Sequence, residues 1–231
     1  MLDEMPYRSI AGAVKERLMV EILFSDKYKP GEWINESVIA KELNVSKAPI
    51  REALRELAAI GIVEIVPHKG AKITQFSKED MEEIYTIRYL LEERIFNDLI
   101  SRDALSQEDI NHLKRLVQEM KEVILLNTPG KPILGNFLLK DLEFHKYLWS
   151  KSNLKWTVKV LLDIYLLLIL GMYNFLMDAD LIKTYEYHVR IIDYLKAKDI
   201  EQFKKDRSES YYALRRHQII GRDMQNGKNS N

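Results

Sequence analysis

Residues 44–61 read NVSKAPIREALRELAAIG, and the fold of the first part of the chain turns on them. Ile50, Leu54 and Leu57 recur at helical spacing and make one apolar stripe. Lys47, Arg51 and Arg55 follow one another at i+4 and share a different face. Pro49 falls in the first turn, where its missing N–H would have no intrahelical partner. Ser46 stands at the N-cap, its hydroxyl placed to accept from the N–H of Ala48, and Gly61 ends the helix.

Upstream, Val38, Ile39 and Leu43 make a short helix opened by Asn35 or Ser37. The turn LNVS joins it to the helix above, and the pair reads as a helix-turn-helix. Before the Pro30-Gly31 turn, Ile10, Val14 and Leu18 mark one face of a first helix. Downstream, GIVEIV and AKIT read as two strands, with Pro67, His68, Lys69 and Gly70 at the tip of a wing. The chemistry fits DNA. The start of a recognition helix enters the major groove, where long cations reach guanine edges or phosphates. Lys69 can touch backbone or minor groove. On periodicity alone, a merely solvated cationic face weighs equally with this reading.

The stretch YKPGEWINESVIAKELNVSKAPIREALRELAAIGIVEIVPHKGAKIT resembles the winged helix-turn-helix of GntR-type bacterial transcription regulators, over about residues 7–75. The resemblance rests on Pro30-Gly31, Glu36, Val45-Ser46, the run Pro49-Ile50-Arg51-Glu52-Ala53-Leu54, then Gly61-Ile62-Val63, and Gly70. It implies DNA contacts from Ser37, Ser46, Lys47, Ala48, Arg51, Arg55, His68, Lys69 and Gly70. The chain departs at Lys47, where arginine is commoner, and at Asn44, where glycine often sits. Lysine cannot make the flat two-pronged contact of a guanidinium, so base choice there can differ.

Composition agrees with a folded protein that reads something specific. Among 231 residues, 35 Lys and Arg balance 35 Asp and Glu, which excludes a uniformly basic nucleic-acid coat. Cysteine is absent, so there is no disulfide framework, thiolate zinc site or cysteine nucleophile, and a reducing cytoplasm is the easy reading. Met1 to Ile10 has no apolar run and is not read as a signal peptide. With only nine glycines, no Gly-rich phosphate loop occurs. Ile164 to Met177 is uncharged, but shorter than the roughly 20 residues needed to span a bilayer. A helix apolar all round is otherwise the centre of a bundle.

Beyond Ser77 the chain is a succession of long helical patterns, at about 77–102, 106–127, 134–151, 154–177, 181–197 and 199–221. Ser77 and Ser106, each followed by acids, open two of them. Asn127 to Pro132 is a loop, Asn153 a break, and the polar end a frayed tail. The expectation is a mainly α protein: a winged helix-turn-helix over 1–75, a six-helix all-α bundle over 76–222, and a tail over 223–231.

In the bundle, Asp141 and His145 are i, i+4 on one helix face. His188 precedes the apolar stripe of Ile191, Ile192 and Leu195 and so points near the core. Two imidazoles and a carboxylate are a minimum set for a divalent metal with open positions. Hydrogen-bonded core residues are the blander reading, and on spacing alone it weighs more. Arg88 with Glu92, then Asp141, Phe144, His145, Leu148 and Asn153, then His188, Ile191, Leu195 and Asp199 resemble the effector domain of the FadR-like branch of GntR regulators, the FCD domain, over about residues 77–215. That resemblance implies a divalent metal of the zinc or nickel kind on Asp141, His145 and His188. It further implies a small carboxylate effector near Arg88. A homodimer on a pseudo-palindromic operator is expected because one winged head reads only a half-site. The family's third histidine falls at Ser210, which is assigned to effector contact instead. His217 lies about 10.5 Å further along the helix axis and is left out. A metal-dependent enzyme with an appended DNA-binding head is the alternative, as is a helical half that only dimerises.

Overall fold

Serines cap three of the helix starts. In the computed structural model, which describes residues 9–25, 27–126, 133–175 and 180–206, Ser9 caps α1 (Ile10–Phe24) by accepting from the N–H of Gly12 at 3.0 Å. Ser77 and Asp80 form a reciprocal capping box on α4 (Lys78–Ser101), and Ser106 and Asp109 do the same on α5 (Gln107–Leu125). Ser46 also sits at an N-cap, that of α3 (Lys47–Ile60), but its hydroxyl makes no capping bond, contrary to expectation. The other three serines accept from the third helical residue, and in α3 that residue is Pro49, which has no N–H to give.

The head is built as its pattern requires. Asn35 opens α2 (Glu36–Leu43), accepting from the N–H groups of Ser37 and Val38. Asn44 closes it in the left-handed region at φ 51°, which accounts for a residue tolerant of that conformation where glycine is otherwise usual. Gly61 closes α3 at φ 94°. Lys15 of α1 pairs with Glu56 of α3 at 2.6 Å.

The wing holds one strand more than the sequence indicates. Strands β1 (Trp33–Ile34), β2 (Val63–Val66) and β3 (Gly70–Ile73) form an antiparallel sheet in the order β1-β3-β2. Two residues cannot display an alternating pattern, so β1 carries no sequence signal. It is held by Gly31 N–H to Ile73 O at 2.9 Å and Ile73 N–H to Glu32 O at 2.8 Å. The expected β2–β3 hairpin is present, Val66 pairing with Gly70 and Val63 with Ile73. Ile34, Ala71 and Ile73 turn inward onto Ile39, Ile50, Leu54 and Leu57. Burying an aliphatic side chain contributes about 1.5–3 kcal/mol, which is what holds so short a sheet in place.

The second part contains α4, α5, α6 (Ile133–Ser150), α7 (Lys155–Phe175), α8 (Asp180–Ala197) and a helical segment at 200–206. α5 packs between α6 and α8, while α4 lies along α7. Phe203 stacks on Phe96 of α4, its ring centroid 3.8 Å away. Asp98 of α4 accepts from the N–H of Asn153, tying down the break between α6 and α7. The apolar run is central in the bundle: none of residues 164–172 is exposed. Among the described residues no helix is long and apolar enough to cross a membrane.

The head is not isolated from the bundle. α1 reaches both α6 and α7, and one cluster of buried side chains runs from Leu18 and Leu57 to Phe144 and Trp149. Leu167 of α7 stands against Gly61, the residue that ends α3. The expected loop at 127–132, the tail at 223–231, and Ser210 and His217 lie outside the described residues.

Candidate functional site

All nine residues assigned to DNA by the sequence are exposed on the head: Ser37, Ser46, Lys47, Ala48, Arg51, Arg55, His68, Lys69 and Gly70. They come from three places. Ser37 is at the start of α2, the group from Ser46 to Arg55 runs along one side of α3, and the rest form the β2–β3 tip. The tip turns tightly, with Lys69 N–H donating to Val66 O at 3.1 Å and His68 in the left-handed region at φ 63°. Arg51 is pinned, its Nε donating to Glu36 Oε2 at 2.8 Å. The pair is exposed and so contributes little to stability. It holds the guanidinium over the α2–α3 corner, at the end of α3 that carries the uncapped Ser46.

The second site is interior. Asp141, His145 and His188 are 3%, 1% and 1% exposed, and one ligand atom of each lies within 4.8 Å of the others. α6 supplies the first two and α8 the third. His188 Nδ1 lies 2.7 Å from the carbonyl oxygen of Thr184. That oxygen only accepts, so Nδ1 carries the proton and Nε2 of a neutral ring presents its lone pair. Nε2 faces Asp141 Oδ1 at 2.9 Å and His145 Nε2 at 3.1 Å. His145 Nε2 in turn faces Arg88 Nη2 at 3.1 Å, and a guanidinium only donates, so this nitrogen too offers a lone pair.

Three acceptor atoms therefore converge where no solvent reaches, and one of them, His145 Nε2, already accepts from Arg88. Such an arrangement is repulsive unless a positive charge is shared among them. A proton satisfies the Asp141–His188 pair, whereas a divalent cation would join all three, taking the place of the Arg88 N–H at His145 Nε2. The donor set of two imidazole nitrogens and one carboxylate oxygen suits zinc or nickel, with positions left for a further ligand. The residues present thus fit the metal that the sequence resemblance implies.

Arg88 and Glu92 of α4 flank this triad, with Nη2 of Arg88 3.2 Å from Glu92 Oε1. Burial works against the charged Arg88, yet Glu92 and Asp141 overcome it and raise its pKa above the ordinary arginine value. Glu92 Oε1 also lies 3.4 Å from His145 Nδ1. At that distance it is an ion-pair neighbour of the ring. Aromatic rings close the walls: Phe144 meets His188 edge-on at 4.8 Å, and Trp149 and Tyr165 each stand 5.1 Å from His145.

Sequence reasoning placed Asp141, His145 and His188 on their helices, and the structure brings them together with Arg88. It gave no role to Glu92, Trp149 or Tyr165. Trp149 follows His145 by four residues and shares its helix face, a legible signal. Tyr165 sits within the apolar run of α7, where nothing distinguishes it from its neighbours.

Comparison with known proteins agrees with both halves. Residues 6–73 match the model for bacterial regulatory proteins of the gntR family, and residues 83–205 match that of the FCD domain. An HTH-type transcriptional regulator of Bacillus subtilis, YdhC, is 32% identical over 58% of this chain and 57% of its own length. The gluconate operon transcriptional repressor of the same organism is 29% identical over 54% of this chain and 48% of its own. The chain thus spans about half the length of these curated relatives. The Escherichia coli protein McbR/YncC superposes with a TM-score of 0.74 over 90% of this chain and 98% of its own, at 20% identity, a likeness of fold. With the FCD match alone covering more than half of its residues, the chain belongs to the gntR family of bacterial regulatory proteins, in the branch that carries an FCD domain.

Proposed function

We propose that this chain is a cytoplasmic transcription regulator that binds a pseudo-palindromic operator as a homodimer. Its DNA affinity is set by a divalent metal and a small organic acid. Residues 1–75 form the DNA-reading head, 76–222 the sensing and dimerising bundle, and 223–231 a tail. The observation that carries this reading is the convergence of Asp141, His145 and His188 as three buried acceptors on α6 and α8. A metal bound there would supply a fixed positive charge for an acid's carboxylate, and Arg88 a second one. α6 also touches α1 of the head, so a ligand that joins α6 to α8 acts on a helix that abuts the DNA reader. In the head, Arg51, Arg55 and Lys47 read base edges or phosphates, while Lys69, His68 and Gly70 follow the backbone. Repression is the favoured sign, since a relative is named as an operon repressor.

One winged head reads a half-site, and closed two-fold symmetry is the common way to read two. Light scattering is expected to give a dimer at micromolar concentration, and calorimetry is expected to show zinc or nickel binding to the full chain. A monomer both alone and with DNA contradicts the first expectation, and absence of binding by either metal contradicts the second.

A further inference from the structure

Beside the three converging acceptors lie groups of the opposite kind. Trp149 Nε1, Tyr165 OH and Arg88 Nε are all enclosed, and among the described residues none of them has a hydrogen-bond partner. Buried donors are nearly always matched, by protein, water or ligand, because leaving one unmatched costs a hydrogen bond's worth of solvation. Here three belong to neighbouring side chains. The Arg88 guanidinium carbon stands 4.5 Å from the Tyr165 ring centroid, Trp149 and Tyr165 meet edge-on at 5.3 Å, and both rings stand 5.1 Å from His145. Indole and guanidinium N–H groups donate and never accept, so what fits them is an acceptor.

We propose that Trp149 and Tyr165, together with Arg88, form the specificity end of the ligand site and receive a second oxygen-bearing group of the acid. Building on the reading above, the acceptor set of Asp141, His145 and His188 takes the metal, and His145 separates it from this donor set. A ligand bridging the two presents one carboxylate to the metal and a second carboxylate or a hydroxyl to Trp149 and Tyr165. The class selected is a short diacid or hydroxy acid, and a simple monocarboxylate is selected against. A buried polar site left unmatched by the wrong ligand discriminates strongly, which is how such donors confer specificity.

The test uses the full chain, with and without zinc, titrated with acetate, malonate, succinate and L-malate by calorimetry and by tryptophan fluorescence. At least one of the last three is expected to bind about tenfold more tightly than acetate. Tyr165→Phe, nearly isosteric, is expected to lower that acid's affinity by about tenfold and to leave acetate unchanged. Its melting temperature without ligand should stay level or rise, because an unmatched hydroxyl has been removed. Trp149→Phe should lower the same affinity. The proposal is overturned if none of the three acids exceeds acetate, or if Tyr165→Phe binds every probe as the wild type does. Failure of zinc to bind overturns the metal reading instead, and the acid preference is then read on the metal-free protein by the same criteria.

Discussion

The head and the bundle put polar residues to opposite use. On the head, the cations assigned to DNA all stand in solvent along α3 and at the wing tip. They cost folding nothing and can be matched by a partner from outside. In the bundle, Arg88, Glu92, Asp141, His145 and His188 are all buried, and every one must be matched inside or by what binds there. A partner meets the first set by collision with a surface and the second only by entering the core. Substitutions on the head should therefore change binding and spare stability, whereas those at these five buried residues should change both.

The largest effect expected is at His188. Second-sphere partners of a metal are worth about 10–100-fold in affinity, so removing a ligand in His188→Ala should cost more than about 100-fold in zinc affinity by calorimetry. Next is the buried ion pair. Arg88→Ala deprives Glu92 of its guanidinium and should destabilise the fold by about 3–5 kcal/mol in urea unfolding. Replacing both, as Arg88→Met with Glu92→Leu, should return much of that loss. A single substitution that proved harmless would erase the contrast between the two regions.

On the head, Arg51→Ala should weaken specific DNA binding by about 1–3 kcal/mol while leaving the unfolding midpoint within error. Lys69→Ala should instead lower affinity for all duplexes alike and flatten the salt dependence. Equal losses for Arg51→Ala on specific and scrambled duplexes would assign it to phosphate. The smallest effect is at Asp109, where Lys151 at 2.7 Å, Tyr147 at 2.6 Å and the Ser106 cap hold the carboxyl well below the ordinary carboxylate range. A depressed folded pKa adds stability above the unfolded value of about 3.9, and that stability drains away as pH falls through the folded value. Asp109→Asn should thus lose about 1 kcal/mol at pH 7 by urea unfolding, and the gap from wild type should close in acid.

The helix pattern was legible nearly throughout, because capping serines and long apolar stripes are local signals. α7 could be placed at the bundle's centre from its uncharged run alone. β1 could not be seen, since two residues gain their strand character only from Ile73 and its neighbours across the sheet. The bond expected from the N–H of Ala48 to Ser46 does not form, and Pro49, at the position the other serines use, has no N–H to replace it. On the candidate site, residues that share a helix were readable together, as Asp141 and His145 are. The link to His188 rested on its position before an apolar stripe and, above all, on the family resemblance. Tyr165 escaped because a hydroxyl inside an apolar run matters only once the fold brings Arg88 beneath it.

The central claim is that an ion held between α6 and α8 alters how the heads meet DNA. It is tested most directly by fluorescence anisotropy on a duplex selected by the protein from a random library, titrated with and without zinc. The ion must prefer one arrangement of the helices, for equal affinity shifts nothing. The account predicts a change in DNA affinity of about 5–150-fold for the wild type and none for His145→Ala. Superimposable wild-type curves with and without zinc, on protein shown by calorimetry to bind it, would contradict the account.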